Sequence, residues 1–97
     1  MNTNPTFEII NKEDVPKYHF VSYDVLDHEE DRNARTEALQ KAMILGNSDH
    51  VKIKIFFMTH EGLKEVETTV WAATDQSVVL KGAVSVPIHA ITRIEYL

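Results

Sequence analysis

The densest run of side chains able to hold a metal or carry a proton is Asp27-His28-Glu29-Glu30-Asp31. On a helix, His28 and Asp31, or Asp27 and Asp31, share one face and could reach a single metal ion. The same run also suits the first turn of a helix, where carboxylates oppose the partial positive charge of the aligned N–H groups. No second pair of histidines accompanies it, because His19, His50, His60 and His89 fall on different elements. A metal reading therefore involves Asp27, His28 and Asp31 alone. Ser22, Ser48, Ser77 and Ser85 lie in no nucleophile elbow, and the three glycines are isolated rather than gathered into a phosphate-cradling loop. With no cysteine there is no thiol nucleophile and no thiolate zinc site. The expectation is a protein that is not an enzyme and needs no cofactor.

Such residues have to be positioned by a small fold. A chain of 97 residues is the size of one domain with one core. Its hydrophobic share of 43% and charged share of 26% are those of an ordinary globular protein, with no apolar run long enough for a membrane helix. The opening Met1-Asn2-Thr3-Asn4-Pro5 has neither the basic patch nor the apolar segment of a secretory signal, so the cytoplasm is the expected compartment. The net charge of −5 lies wholly in residues 1–50, which carry ten acidic and five basic side chains, whereas residues 51–97 carry five of each. No basic stripe for nonspecific nucleic-acid binding is present in that pattern.

Residues 1–26 read as an N-terminal arm with a short strand at 7–10 and a further strand or extended segment over 17–26 that covers part of the core. From Asp27 the periodicity becomes helical. Asp27 is the expected cap, and Ala34, Ala38, Leu39, Ala42, Met43 and Leu45 form the buried side, leaving Arg32, Arg35, Glu37 and Lys41 mostly toward water. Gly46-Asn47 should end the helix, giving it the span 28–45.

Residues 51–97 switch to a period of two. Val51, Ile53, Ile55 and Phe57 share one face of the first strand, and 64–73 forms the next. If Met58 and Leu63 close the hairpin, Ile55 faces Val66 and Lys54 faces Glu67, so apolar meets apolar and opposite charges meet. Turns at 74–76 and 82–83 then lead through strands at 77–81 and 84–88 to a last strand at 92–96. Short strands joined by minimal turns favour a small barrel. The fold class read here is mostly β with one α-helix: a five-stranded barrel over 51–97, preceded by an amphipathic helix and an extended arm, all in a single domain 1–97. Trp71 shares its row with Glu65, Glu67 and Thr69 and is expected to be buried beneath the helix and arm, together with Phe56; the other reading is a stacking or anchoring face.

Gly62-Leu63-Lys64, the string DQSVVLKG at 75–82 and HAITRI at 89–94 resemble the Sm-like, or SH3-like, small-barrel family, and in particular its Hfq-like branch. The layout matches over residues 29–97 and the local motifs over 51–97. By that resemblance His89 alone corresponds to a residue that contacts uridine-rich RNA, which makes single-stranded RNA a possible partner; the nearby Lys81 and Arg93 are possible supporting contacts. The family forms rings by pairing the fourth and fifth strands of neighbouring subunits. Pro87 removes a backbone donor from the fourth, so a homo-oligomer is possible with its edge weakened. A more distant likeness is to the small bacterial antiterminators that bind transcription factor Rho, which also place a helix before such a barrel. Taken together, the expected work is that of a regulator or adaptor binding another macromolecule, most plausibly a protein; the alternatives are RNA binding through His89 and a metal protein or enzyme using residues 27–31.

Overall fold

The computed structural model describes residues 7–97. The first six residues of the expected arm lie outside the described part.

The described residues build seven strands and one long helix in the order β1 (Phe7–Ile9), α1 (Glu29–Asp49), β2 (Ile53–Thr59), β3 (Gly62–Thr68), β4 (Val70–Ala73), β5 (Ser77–Leu80), β6 (Val84–Pro87) and β7 (Ile91–Tyr96). Single 3-10 turns lie at Lys12–Lys17 and Ile88–Ala90. The fold is mostly strand with one helix, as expected. The described strands do not close into one cylinder, however. They form a four-stranded sheet in the order β1-β3-β2-β7 and a three-stranded sheet in the order β4-β5-β6. The expected single strand 64–73 is divided at Thr69, which carries the chain from one sheet to the other.

Period-two patterning did set the central hairpin. Ile55 pairs with Val66 and Lys54 with Glu67, and the ladder runs through Met58 and Leu63 to Thr59 and Gly62. Ile53, Ile55 and Phe57 join Val66, Val70, Val78, Leu80, Val86 and Ile91 in a core shared by both sheets, and Leu39 and Ala42 of α1 complete it. At the β5–β6 turn the bond from Ala83 N–H to Leu80 O, 2.9 Å long, places Gly82 at φ +90°, a conformation that a side chain would strain.

The helix differs from its expected form at both ends. His28, not Asp27, is the cap residue: its carbonyl accepts from the N–H groups of Asp31 and Arg32, and no side chain caps the start. At the far end the helix runs through Gly46 and Asn47 and stops at His50, whose φ of 55° is left-handed. Gly46 is there for closeness rather than termination, since it rests on the Val70 carbonyl. The buried stripe also shifts: Ala34 is exposed, while Arg35, expected toward water, is only 7% exposed.

Of the two forms expected over 17–26, a strand or an extended segment, the arm does not take the strand. β1 adds to β3 in parallel, Phe7 opposite Leu63 and Ile9 opposite Glu65. Beyond the 3-10 turn the segment makes only one isolated bridge, Phe20 to Thr59. Asp24 explains part of that irregularity, because its carboxylate accepts from Leu26 N–H at 2.8 Å, a local bond that competes with a ladder. The covering role holds nonetheless: Val21 is buried and the Phe20 ring packs on Phe57 with centroids 5.6 Å apart.

Trp71 is not beneath the arm and helix. It is 46% exposed, at the irregularity where β4 and β5 shift register between Val70 and Ala72, and such a bulge redirects a side chain. The cover that Phe56 needs comes instead from Phe7, edge-on with centroids 5.0 Å apart, and from the Arg93 guanidinium 4.3 Å from the ring centroid.

One contact fastens the arm to the hairpin tip. The Glu61 carboxylate accepts from His19 N–H at 3.0 Å and meets His19 Nδ1 at 2.8 Å. These bonds to the main chain and ring of His19 hold the Glu61 carboxyl down to about 2, against an ordinary 4.5. A depressed folded value means that the clasp is at full strength above about 4.5 and is lost as pH falls toward about 2. In thermal melts at a series of pH values, Glu61→Gln should therefore melt below the wild type near neutrality and converge with it near pH 2. Parallel pH profiles would show that the clasp carries no acid sensitivity.

Candidate functional site

The structure separates the residues that the Hfq-like resemblance groups. His89 lies on the 3-10 turn before β7, where its Nε2 is 2.7 Å from Val21 O and its own carbonyl accepts from Val25 N–H at 2.9 Å. It thus ties the arm to the connection between β6 and β7. His89 lines an open depression of about 440 Å³ with Asp24, Arg35, Asp75 and Gln76. Lys81 lines a different groove, beside Lys12 and Lys52. Arg93 stands over the Phe56 ring and pairs with Glu95 at 3.1 Å. His89, Lys81 and Arg93 therefore line separate depressions. Among the described residues, no group of three or more His, Asp or Glu side chains is placed to hold one ion, and Asp27, His28 and Asp31 are all exposed.

What the structure does assemble is an electrostatic contrast at the start of α1. Arg35 forms a two-pronged pair with Asp24, NH1 to Oδ1 at 3.0 Å and NH2 to Oδ2 at 2.7 Å, and NH1 also donates to Ile91 O at 3.0 Å. The guanidinium, first among the causes, holds the Asp24 carboxyl below its usual range. Arg32 turns the same way, donating from Nε to Leu26 O at 2.8 Å and lying 3.7 Å from Asp24. Both arginines of the helix are thereby drawn to one aspartate of the arm. Asp27, Glu29, Glu30 and Asp31 are exposed, and among the described residues none of them enters an ion pair.

An acidic first turn is legible in the sequence, but its lack of neutralisation is not. Arg32 and Arg35 stand three and four positions from acids of the same turn and read as their partners on helical spacing. Only the fold brings in Asp24. Unpaired carboxylates at a helix start are favoured by the helix dipole, so the patch is stable without a partner, and its outward field would speed and orient encounter with a basic surface.

No helix of the described residues is long and apolar enough to cross a membrane. Compared with models of protein families, with curated proteins and with solved structures, the chain finds no match.

Proposed function

We propose that this chain is a noncatalytic interaction module that docks on a basic surface of a protein partner through the start of α1. The observation that supports it most is the withdrawal of Arg32 and Arg35 to Asp24, which leaves Asp27, Glu29, Glu30 and Asp31 facing solvent without countercharge. Charge complementarity of this kind governs encounter rate and selection of partner more than raw affinity. The reading also takes up the Sm-like layout: β2, the bent pair β3 and β4, β5, β6, a 3-10 turn and β7 returning beside β2 follow the expected order of a five-stranded small barrel, here spread over two sheets. Such barrels serve protein partners as well as nucleic acids, so the fold alone does not choose between them.

The test is capture from lysate of the source organism by the immobilised protein, with protein and RNA both identified, beside a Glu29→Lys, Glu30→Lys, Asp31→Lys triple variant. The wild type should retain a specific basic protein, at least tenfold less should bind to the triple variant, and capture should fall with added salt. Equal capture by both would remove the patch from the interface. Recovery of RNA alone, lost in His89→Ala, would replace this reading with single-strand binding.

A further inference from the structure

The chain is acidic, yet three of its lysines line one groove. Lys12 opens the 3-10 turn of the arm, Lys52 precedes β2 and Lys81 follows β5, and the fold sets all three along an open depression of about 310 Å³. Ion pairing sorts the basic residues. Lys17, Lys54, Lys64, Arg32, Arg35 and Arg93 each have a carboxylate partner, as does Lys12 through Glu13 at 2.9 Å. Among the described residues, only Lys41, Lys52 and Lys81 have none, and two of these three line this groove. Glu13 and Glu67 also line it, Glu13 being the one engaged by Lys12.

Three lysines against two carboxylates leave this lining net positive on a chain of net charge −5, and a local reversal of sign is the kind of departure that collects at functional sites. The exposed Lys12–Glu13 pair is no obstacle. Pairs of that sort contribute little and exchange readily for a stronger acceptor. The groove has space for about ten water molecules' worth of liquid, more than a lone small anion fills and near the lower end of small-ligand sites. Asn11, Thr68 and Thr69 add neutral polar groups to the same lining.

We infer that the groove between Lys12, Lys52 and Lys81 binds a small ligand through a diphosphate group. Lys52 supplies a point charge from the lead-in to β2 and Lys81 another from the end of β5, and Lys12 closes the site from the arm, its Cε lying 3.3 Å from where a side chain on Gly82 would begin. The arm is thus one wall of the site, so ligand binding should also fasten the arm. This is separate from the acidic start of α1 and does not depend on it.

The test is titration of the full chain with inorganic pyrophosphate at low salt, followed by amide chemical shifts. Shifts should concentrate at residues 11–13, 52, 67–69 and 81, with a dissociation constant at or below about 1 mM. Lys52→Gln/Lys81→Gln should weaken binding at least tenfold, while Lys41→Gln leaves it unchanged. A nucleoside diphosphate in a parallel arm distinguishes a nucleotide, which would bind more tightly than pyrophosphate, from recognition of the phosphates alone. Absence of shifts at millimolar pyrophosphate, or equal weakening by Lys41→Gln, would overturn the inference; the latter marks diffuse screening instead of a site.

Discussion

Asp24→Ala should lower unfolding stability by about 3 kcal/mol, the low end of the range for breaking a buried ion pair by removing one partner. The Arg35 side chain is 5% exposed, and the substitution takes two of its three hydrogen bonds, leaving only Ile91 O. Its Nε, already buried without a partner, gains none. Asp24 is nearer the surface, at 24% exposure, so water can reach part of the vacated space, which is why the low end is expected. In a domain of this length the change corresponds to a fall of roughly 12–24 °C in melting temperature. The double variant Asp24→Ala/Arg35→Met should recover most of the loss, because an apolar replacement of a buried pair is often nearly neutral. Acid should act through the same carboxylate. Its folded pKa is lowered, chiefly by Arg35, so its contribution is present above the ordinary value of 3.8 and is lost as pH falls below that. Urea unfolding followed by circular dichroism would decide the matter, and a single variant within about 0.5 kcal/mol of wild type, the scatter of neutral surface changes, would mean that the pair does not hold the helix to the arm.

Asp24 and Arg35 also mark where sequence reasoning stopped. Patterns of period two or 3.6 report on neighbours along one element, and there they are reliable: the Ile55–Val66 and Lys54–Glu67 register and the turn at Gly82 follow from local alternation and turn chemistry. Arg35 lies one turn before the buried Leu39, and nothing local reveals that an acid eleven residues earlier neutralises it. The place of Trp71 is hidden from local pattern for a related reason. Strict alternation cannot register the shift between Val70 and Ala72, and the arm that was to cover Trp71 pairs instead with residues 63–65. The candidate surfaces divide the same way. The acidity of residues 27–31 is written in the composition, whereas its unpaired state, and the meeting of Lys12, Lys52 and Lys81 from three distant elements, exist only in the folded chain.

Gly46→Ala tests the packing that sets where the helix lies, and it opposes two known effects of different size. Gly46 is an interior helix residue, so propensity alone would favour alanine by about 1 kcal/mol. A Cβ at this position, however, would lie 2.5 Å from the Val70 carbonyl oxygen and 2.9 Å from Thr69 Cγ2. The threonine methyl could turn away. The carbonyl cannot, because Val70 is fixed in β4 opposite Leu80 and is fully buried in the core. Relief must come from lifting α1 off β4, which would also stretch the contact from Ala73 N–H to Met43 Sδ, now 3.2 Å. Overpacking against backbone costs up to about 3 kcal/mol, so a net loss near 2 kcal/mol is expected after the propensity gain, or roughly 8–16 °C in melting temperature. Asn47→Ala supplies the control, since residue 47 is exposed on the same helix and only the propensity term applies there. It should be neutral or slightly stabilising. A Gly46→Ala protein as stable as the Asn47→Ala control would mean that the helix does not sit this close to β4, and with it would go the reason the helix runs past residue 45.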